Sequence, residues 1–272
     1  MIYISLTTIP KRLRYWASIQ KNLISLLTQK TDKEYYVVFN IPKLYVMDDN
    51  TEYVVPDELM EFAKEHPNLI INRDIYDYGP IIKIYGVLKY STNPEDIIIA
   101  LDDDCAYHED MIEAHLAKLN EYPNHVICYT SYAAARKKDF IEDGVSKFKL
   151  DGDRVDFPLQ KDAYMLAPGH IGSVSYKRKY FKDDFNEELF SLADGDDPLM
   201  GYYLKMQRIP IICAKHNYPG IAFPIIENLA FYEYSGGWLI RRKYPETTHG
   251  RQSQKLMDFL YHNNNVTYIN KL

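Results

Sequence analysis

The run Ile97-Ile98-Ile99-Ala100-Leu101, followed at once by Asp102-Asp103-Asp104, constrains this chain most. An apolar run this short and this rich in β-branched residues predicts a strand buried on both faces of a sheet. Acids at the carboxyl end of such a strand stand where open α/β sheets bind their ligands. Three adjacent carboxylates repel one another unless a cation joins them. Oxygen donors of this kind suit Mg²⁺ or Mn²⁺, which keep several waters and also accept phosphate oxygens. The run therefore predicts a metal-bridged diphosphate site. Alternation along an extended segment would turn Asp102 and Asp104 one way and Asp103 the other. The competing reading is a solvated acidic turn, with Asp104 capping a following helix.

The segments around this run alternate between strand and helix patterns. An opening strand at 2–6 ends in Thr7-Thr8-Ile9-Pro10, and a helix follows with Trp16, Ile19, Leu23, Leu26 and Leu27 on one side. Further strands are predicted at 35–39, 69–72 and 125–128, with helices at 56–64, 80–90 and 109–119. This order is that of a parallel sheet with right-handed crossovers. Residues 131–162 are polar and irregular, and are expected to form an acceptor-side excursion or a mobile loop. Order returns at 163–166, runs through Pro168-Gly169-His170-Ile171-Gly172, and gives a helix at 198–206 and a final core strand at 209–213. The tail beyond Pro224 reads as irregular. The fold class is α/β, with a mixed, mostly parallel central sheet flanked by helices, and 272 residues suffice for one such domain.

Charge and cysteine content narrow the function. A net charge of −6 argues against a general nucleic-acid binder, although the basic sets Lys11, Arg12 and Arg14, and Arg241-Arg242-Lys243, could serve one small anion. Three scattered cysteines form neither a disulfide scaffold nor a Cys-rich zinc site, which suits a reducing compartment. The sequence shows no leader pattern and no apolar stretch approaching the roughly 18 residues of a membrane span. A cytoplasmic location is expected, with peripheral membrane attachment left open.

Four segments occur in a definite order: Thr7-Thr8-Ile9-Pro10-Lys11-Arg12, Asp77-Tyr78-Gly79-Pro80-Ile81-Ile82-Lys83, Asp102-Asp103-Asp104, and Asp196-Asp197 before a helix. Together they resemble the nucleotide-sugar-dependent glycosyltransferases of the GT-A fold that carry an Asp-x-Asp motif. The likeness extends to small sugar transferases of bacteria and large DNA viruses, and it covers residues 1–213. It implies a GT-A-like (Rossmann-like) domain over 1–272, with residues 1–128 holding the nucleotide sugar and 129–272 supplying the acceptor side and tail.

The resemblance also assigns roles. Thr7, Thr8 and Arg12 would lie beside the base, ribose and phosphates, since Arg pairs well with phosphate oxygens. Asp77 and Lys83 would line the nucleotide pocket. Asp102 and Asp103 would touch the donor, while Asp102 and Asp104 would hold Mn²⁺ or Mg²⁺, with the late histidine His249 as a further ligand. His170 would line the sugar pocket on its acceptor side, its neighbours Gly169 and Gly172 allowing close backbone approach to a ligand. Asp196 or Asp197 would act as general base, and one of the pair would cap the helix that starts there. The implied reaction moves a hexose from a nucleoside diphosphate sugar, UDP-linked by preference, to a hydroxyl on a glycan, lipid or protein. Inversion is favoured over retention. The rival readings are a sugar nucleotidyltransferase, disfavoured because no glycine follows the first strand, a phosphohydrolase with Asp102 as nucleophile, and a binding module without turnover.

Overall fold

The computed structural model describes residues 1–46, 50–132, 162–165, 167–192, 195–215 and 222–224. Its first half runs β1 (Ile2–Thr7), α1 (Pro10–Leu13), α2 (Trp16–Leu27), β2 (Tyr35–Asn40), the hairpin strands β3 (Leu44–Tyr45) and β4 (Thr51–Glu52), α3 (Asp57–Glu65), β5 (Leu69–Asn72) and α4 (Ile82–Tyr85). It continues through β6 (Ile97–Ala100), β7 (Cys105–Tyr107), α5 (Met111–Glu121), β8 (Val126–Cys128) and β9 (Ser131–Tyr132). The remainder comprises β10 (Ala163–Met165), β11 (Ala167–Pro168), β12 (Val174–Lys177), α6 (Glu187–Phe190), α7 (Asp196–Met206), β13 (Ile211–Cys213) and β14 (Ala222–Pro224).

Eight strands form one sheet in the order β10-β13-β8-β12-β6-β1-β2-β5. The pairs β1 with β2, β1 with β6, β2 with β5 and β8 with β13 are parallel, while β12 runs antiparallel to both β6 and β8, and β10 antiparallel to β13. The sheet is thus mixed and mostly parallel, as the strand order along the sequence implies. Strand alternation divides the core in two. Ile99 and Leu101 join Val37, Phe39, Ile19, Leu23 and Leu26 on one face, and Ile98 and Ala100 join Val38, Ile84, Leu199 and Leu204 on the other. Each such aliphatic side chain contributes about 1.5–3 kcal/mol when fully buried.

The sheet and its flanking elements depart from the sequence reading at particular points. The helix expected at 80–90 is a 3-10 turn, Gly79–Ile81, leading into the four-residue α4 and then turns. Strand β13 is, as expected, the last strand along the chain to join the central sheet, and β10 pairs on its outer side. Strand β12, which no apolar run announces, fills the centre of the sheet between β6 and β8. Its direction matters for the site: because β12 opposes β6, its first residue, Val174, sits level with Ala100 at the acid-bearing end. No helix among the described residues is long and apolar enough to cross a membrane.

Candidate active site

Strand β6 stops at Ala100, and Asp102 to Asp104 lie in a non-extended segment before β7. The expected alternation of the three acids therefore fails. Asp103 and Asp104 turn to the same partner, Arg12: Nη1 pairs with Asp103 Oδ1, and Nη2 lies 3.0 Å from Asp104 Oδ2. Asp102 instead pairs with Lys83 through Oδ1. Its backbone is clasped by Tyr107, whose hydroxyl accepts from Asp102 N at 3.1 Å and donates to Asp102 O at 2.9 Å. Asn22, set in the apolar stripe of α2, donates to Cys105 O at 2.6 Å and holds the other side of the turn. Tyr107 and Asn22 were not read from the sequence. The one signal for Asn22 is a polar residue among Ile19, Leu23 and Leu26.

Arg12 was expected beside phosphate oxygens, yet it is 5% exposed and engaged by carboxylates. Burial works against its charge, but Asp103 and Asp104 prevail and hold its pKa above the ordinary arginine value. Burial pushes Asp103 up to about 6 despite the neighbouring guanidinium. Thr8 is buried, its carbonyl accepting from the Tyr53 hydroxyl at 3.0 Å. Thr7 spends its hydroxyl on Asn40 O at 2.9 Å, a local sheet contact. Asp77 likewise serves the backbone, accepting from Gly79 N and Val46 N at 2.9 Å each, and burial raises its pKa. Gly79 has φ 76°, a conformation suited to glycine, so this turn delivers α4 and with it Lys83.

Lys83 links the two acidic groups. Its ammonium pairs with Asp102 and lies 2.9 Å from Asp196 Oδ2, and its side chain is 3% exposed. Burial opposes the charge, but Asp102 and then Asp196 raise the pKa well above that of free lysine. The same Asp196 oxygen lies 2.9 Å from His170 Nδ1, and both contacts are ion pairs of proximity rather than aligned hydrogen bonds.

The acid pair opens α7 without capping it. Gly195 is the N-cap residue, no side chain makes the cap hydrogen bond, and Asp196 and Asp197 are the first two helical residues. The expected carboxylate cap is thus corrected. Both carboxylates turn to His170, which the 3-10 turn His170–Gly172 brings to the start of β12. Asp197 Oδ1 accepts from His170 N at 3.1 Å and from His170 Nδ1, while Nε2 lies 2.9 Å from the Tyr176 hydroxyl. Burial opposes protonation of His170, yet Asp196 and Asp197 raise it to about 9. Asp196 is held far below the usual carboxylate range, because Lys83 and His170 outweigh its burial, whereas Asp197 is raised by burial and by Asp196.

His170 is 1% exposed and both ring nitrogens are engaged, so neither offers itself to a donor sugar. The glycines beside it also differ from expectation. A Cβ on Gly169 would meet Thr130 Oγ1 at 2.7 Å, and one on Gly172 would meet Thr130 Cγ2 at 2.6 Å. Their small size admits Thr130, not a ligand. His249 lies outside the described residues.

The donor set suits a hard cation. Asp102, Asp103, Asp104, Asp196 and Asp197 offer five carboxyl groups against the three cationic partners Arg12, Lys83 and protonated His170, which leaves an excess of two negative charges when all ionise. Asp103 Oδ2 is buried without a hydrogen bond, and the Asp102 side chain is 32% exposed. His170, Asp196 and Asp197 also have potential ligand atoms within 4.8 Å of one another. In both acidic groups the carboxylates are paired with cations of the protein, Asp196 and Asp197 with His170 and Lys83, Asp102 with Lys83, and Asp104 with Arg12.

A mostly parallel sheet thus carries acids at the carboxyl end of β6, and a second acid pair at the start of α7 faces them, the arrangement that the resemblance to GT-A glycosyltransferases implies. The chain belongs to glycosyl transferase family 2, whose model matches residues 9–189. Among solved structures, S. aureus TarS 1-349 is similar at 14% identity with a TM-score of 0.54, over 98% of this chain and 73% of that one. Longer S. aureus TarS is similar at 16% identity with a TM-score of 0.53, over 95% of this chain but 42% of that one. At these identities the likeness is one of fold. No curated protein sequence matches the chain.

Proposed function

We propose that this glycosyltransferase moves a hexose from a nucleoside diphosphate sugar, UDP-linked by preference, to a hydroxyl acceptor with inversion at the anomeric carbon. One observation carries the reading: the strand-end acids and the helix-start acids face each other across a single buried ammonium, Lys83. That arrangement supports donor binding on one side and base catalysis on the other.

Residues 1–128 would bind the donor, with Thr7, Thr8 and Asp77 shaping the nucleotide end and Arg12 and Lys83 setting the charge around the diphosphate. Asp102 and Asp104 would hold Mn²⁺ or Mg²⁺, which when bound neutralises charge on the departing diphosphate. Residues 129–272 would supply the acceptor side. Asp197 is the better base of the pair, since Asp196 is tied as a carboxylate between Lys83 and His170. Asp197 would take the acceptor proton as the acceptor oxygen bonds to the anomeric carbon, and the bond to the diphosphate breaks with its electron pair leaving on UDP. A cytoplasmic location suits this chemistry, peripheral to a membrane where the acceptor is lipid-linked.

The test is UDP release from UDP-glucose and UDP-N-acetylglucosamine with Mn²⁺, followed by anomeric NMR of the product. Transfer with an inverted anomeric centre, lost in Asp197→Asn, is expected. Retention of configuration, or full activity in Asp197→Asn, would overturn the assignment of the base.

A further inference from the structure

Two N–H groups of one residue converge on one oxygen of Asp197. The backbone N of His170 lies 3.1 Å from Asp197 Oδ1, and the ring Nδ1 reaches the same atom. Among the described residues no hydrogen bond to the second carboxylate oxygen occurs. The imidazole cannot swing away, because its other nitrogen is 2.9 Å from the Tyr176 hydroxyl and the rings of His170 and Tyr176 stack at 6.1 Å. Tyr176 is itself fully buried in β12, packed on Phe181. The chain Tyr176, His170, Asp197 thus runs from the sheet interior to the face of the site.

We propose that His170 is a positioning residue: it fixes the rotamer of Asp197 so that one carboxylate oxygen is spent on the protein and the other is kept for the acceptor hydroxyl, with Tyr176 anchoring the ring. This deepens the reading of Asp197 as general base and rests on it. The sequence resemblance put His170 in the lining of the sugar pocket, a direct ligand contact that its burial does not favour. A base held to within a fraction of an ångström matters because small misplacement costs up to about 100-fold in rate.

The charge on the ring has a second effect. Around Asp197 stand Asp196 beside it on α7, His170 before β12, Tyr176 in β12, Asp102 after β6, Lys83 on α4 and Cys128 in β8. His170 and Lys83 are the cations among them, and His170 alone bonds Asp197 directly. Removing it leaves the carboxylate beside Asp196 with less compensation, so Asp197 holds its proton to higher pH.

The experiment compares the full chain with His170→Gln and Tyr176→Phe, measuring UDP release from UDP-glucose with water as acceptor over pH 5 to 9. His170→Gln is expected to keep the donor KM within about twofold, lower kcat by about 10- to 100-fold and move the acid limb of kcat up by about one pH unit. Tyr176→Phe, which keeps the ring and removes only the hydroxyl, is expected to lower kcat by about threefold at unchanged KM. An unchanged kcat in His170→Gln, or a raised donor KM with the acid limb in place, overturns the proposal and returns His170 to the lining of the sugar pocket. If His170→Gln does not fold, Tyr176→Phe decides alone, and a wild-type rate there overturns the proposal. A UDP thermal shift on the same proteins separates the two failures. Wild type that neither binds UDP nor releases it removes the glycosyl-transfer reading and this proposal together, whereas UDP binding and turnover indifferent to both substitutions remove only the proposal.

Discussion

Lys83 Nζ lies 2.9 Å from Asp196 Oδ2 while it pairs with Asp102 Oδ1, so one buried charge joins the acids of β6 to those of α7. Replacing it leaves two carboxylates facing each other at low dielectric. Lys83→Met is expected to destabilise the fold by about 3 kcal/mol, the scale for breaking a buried pair. Urea denaturation measures it. The double variant Lys83→Met/Asp196→Asn should recover part of that loss, and strictly additive losses would show that the two groups are not coupled.

His115 is fully buried between Ser173 Oγ at 2.8 Å and Ser175 Oγ at 2.9 Å, and burial holds its pKa down to about 3. Its folded pKa lies below the unfolded value of 6.5, so the unfolded chain takes up the proton first as pH falls. Stability from this group is complete at neutral pH and declines below about 6.5. Between pH 7 and pH 5 the loss should be about 2 kcal/mol, and His115→Gln should remove that part of the slope. Urea midpoints at the two pH values check it, and an equal slope in the variant would exclude His115 as the cause.

Gly172 has no room for a side chain. A Cβ there would stand 2.6 Å from Thr130 Cγ2 and 2.8 Å from Thr130 N, and the backbone contact cannot be relieved by a rotamer change. Gly172→Ala should cost about 1–3 kcal/mol, the usual scale of overpacking, and should lower kcat by displacing the turn that carries His170. A thermal melt alongside UDP release tests both. A variant with wild-type stability and rate would mean that the turn yields without consequence.

Donor binding should depend on the divalent ion. UDP with Mn²⁺ at about 100 times its dissociation constant should stabilise the protein by about 2.7 kcal/mol. Asp104→Ala is expected to abolish the metal-dependent part of that shift while leaving the metal-free melting behaviour measurable. Equal shifts with UDP, GDP, dTDP and CDP, or no effect of chelator, would count against a metal-bridged uridine diphosphate.

The strands that position the site were legible wherever apolar residues ran together, as at Ile97–Ala100 and Tyr35–Asn40, because burial on both faces requires such runs. Strand β12 was not, since Val-Ser-Tyr-Lys carries no run or clean alternation; its state comes from pairing with β6 and β8, and its buried Ser175 is satisfied by His115 on α5. The acids themselves were visible, but their partners were not. Spacing cannot show that Arg12 closes on Asp103 and Asp104, 91 and 92 residues away, or that Lys83 is buried rather than solvated. The expected carboxylate cap on α7 failed for the same reason: a tertiary partner, His170, outcompetes the local backbone amides.

A crystal structure of the full chain with UDP and Mn²⁺ tests the central claim most directly. The account predicts a cation bound by Asp102 and Asp104 together with both phosphates of UDP, with Lys83 and Arg12 still within pairing distance of the acids. Density showing the diphosphate away from residues 102–104, with all three carboxylates still closed on Arg12 and Lys83, would contradict it.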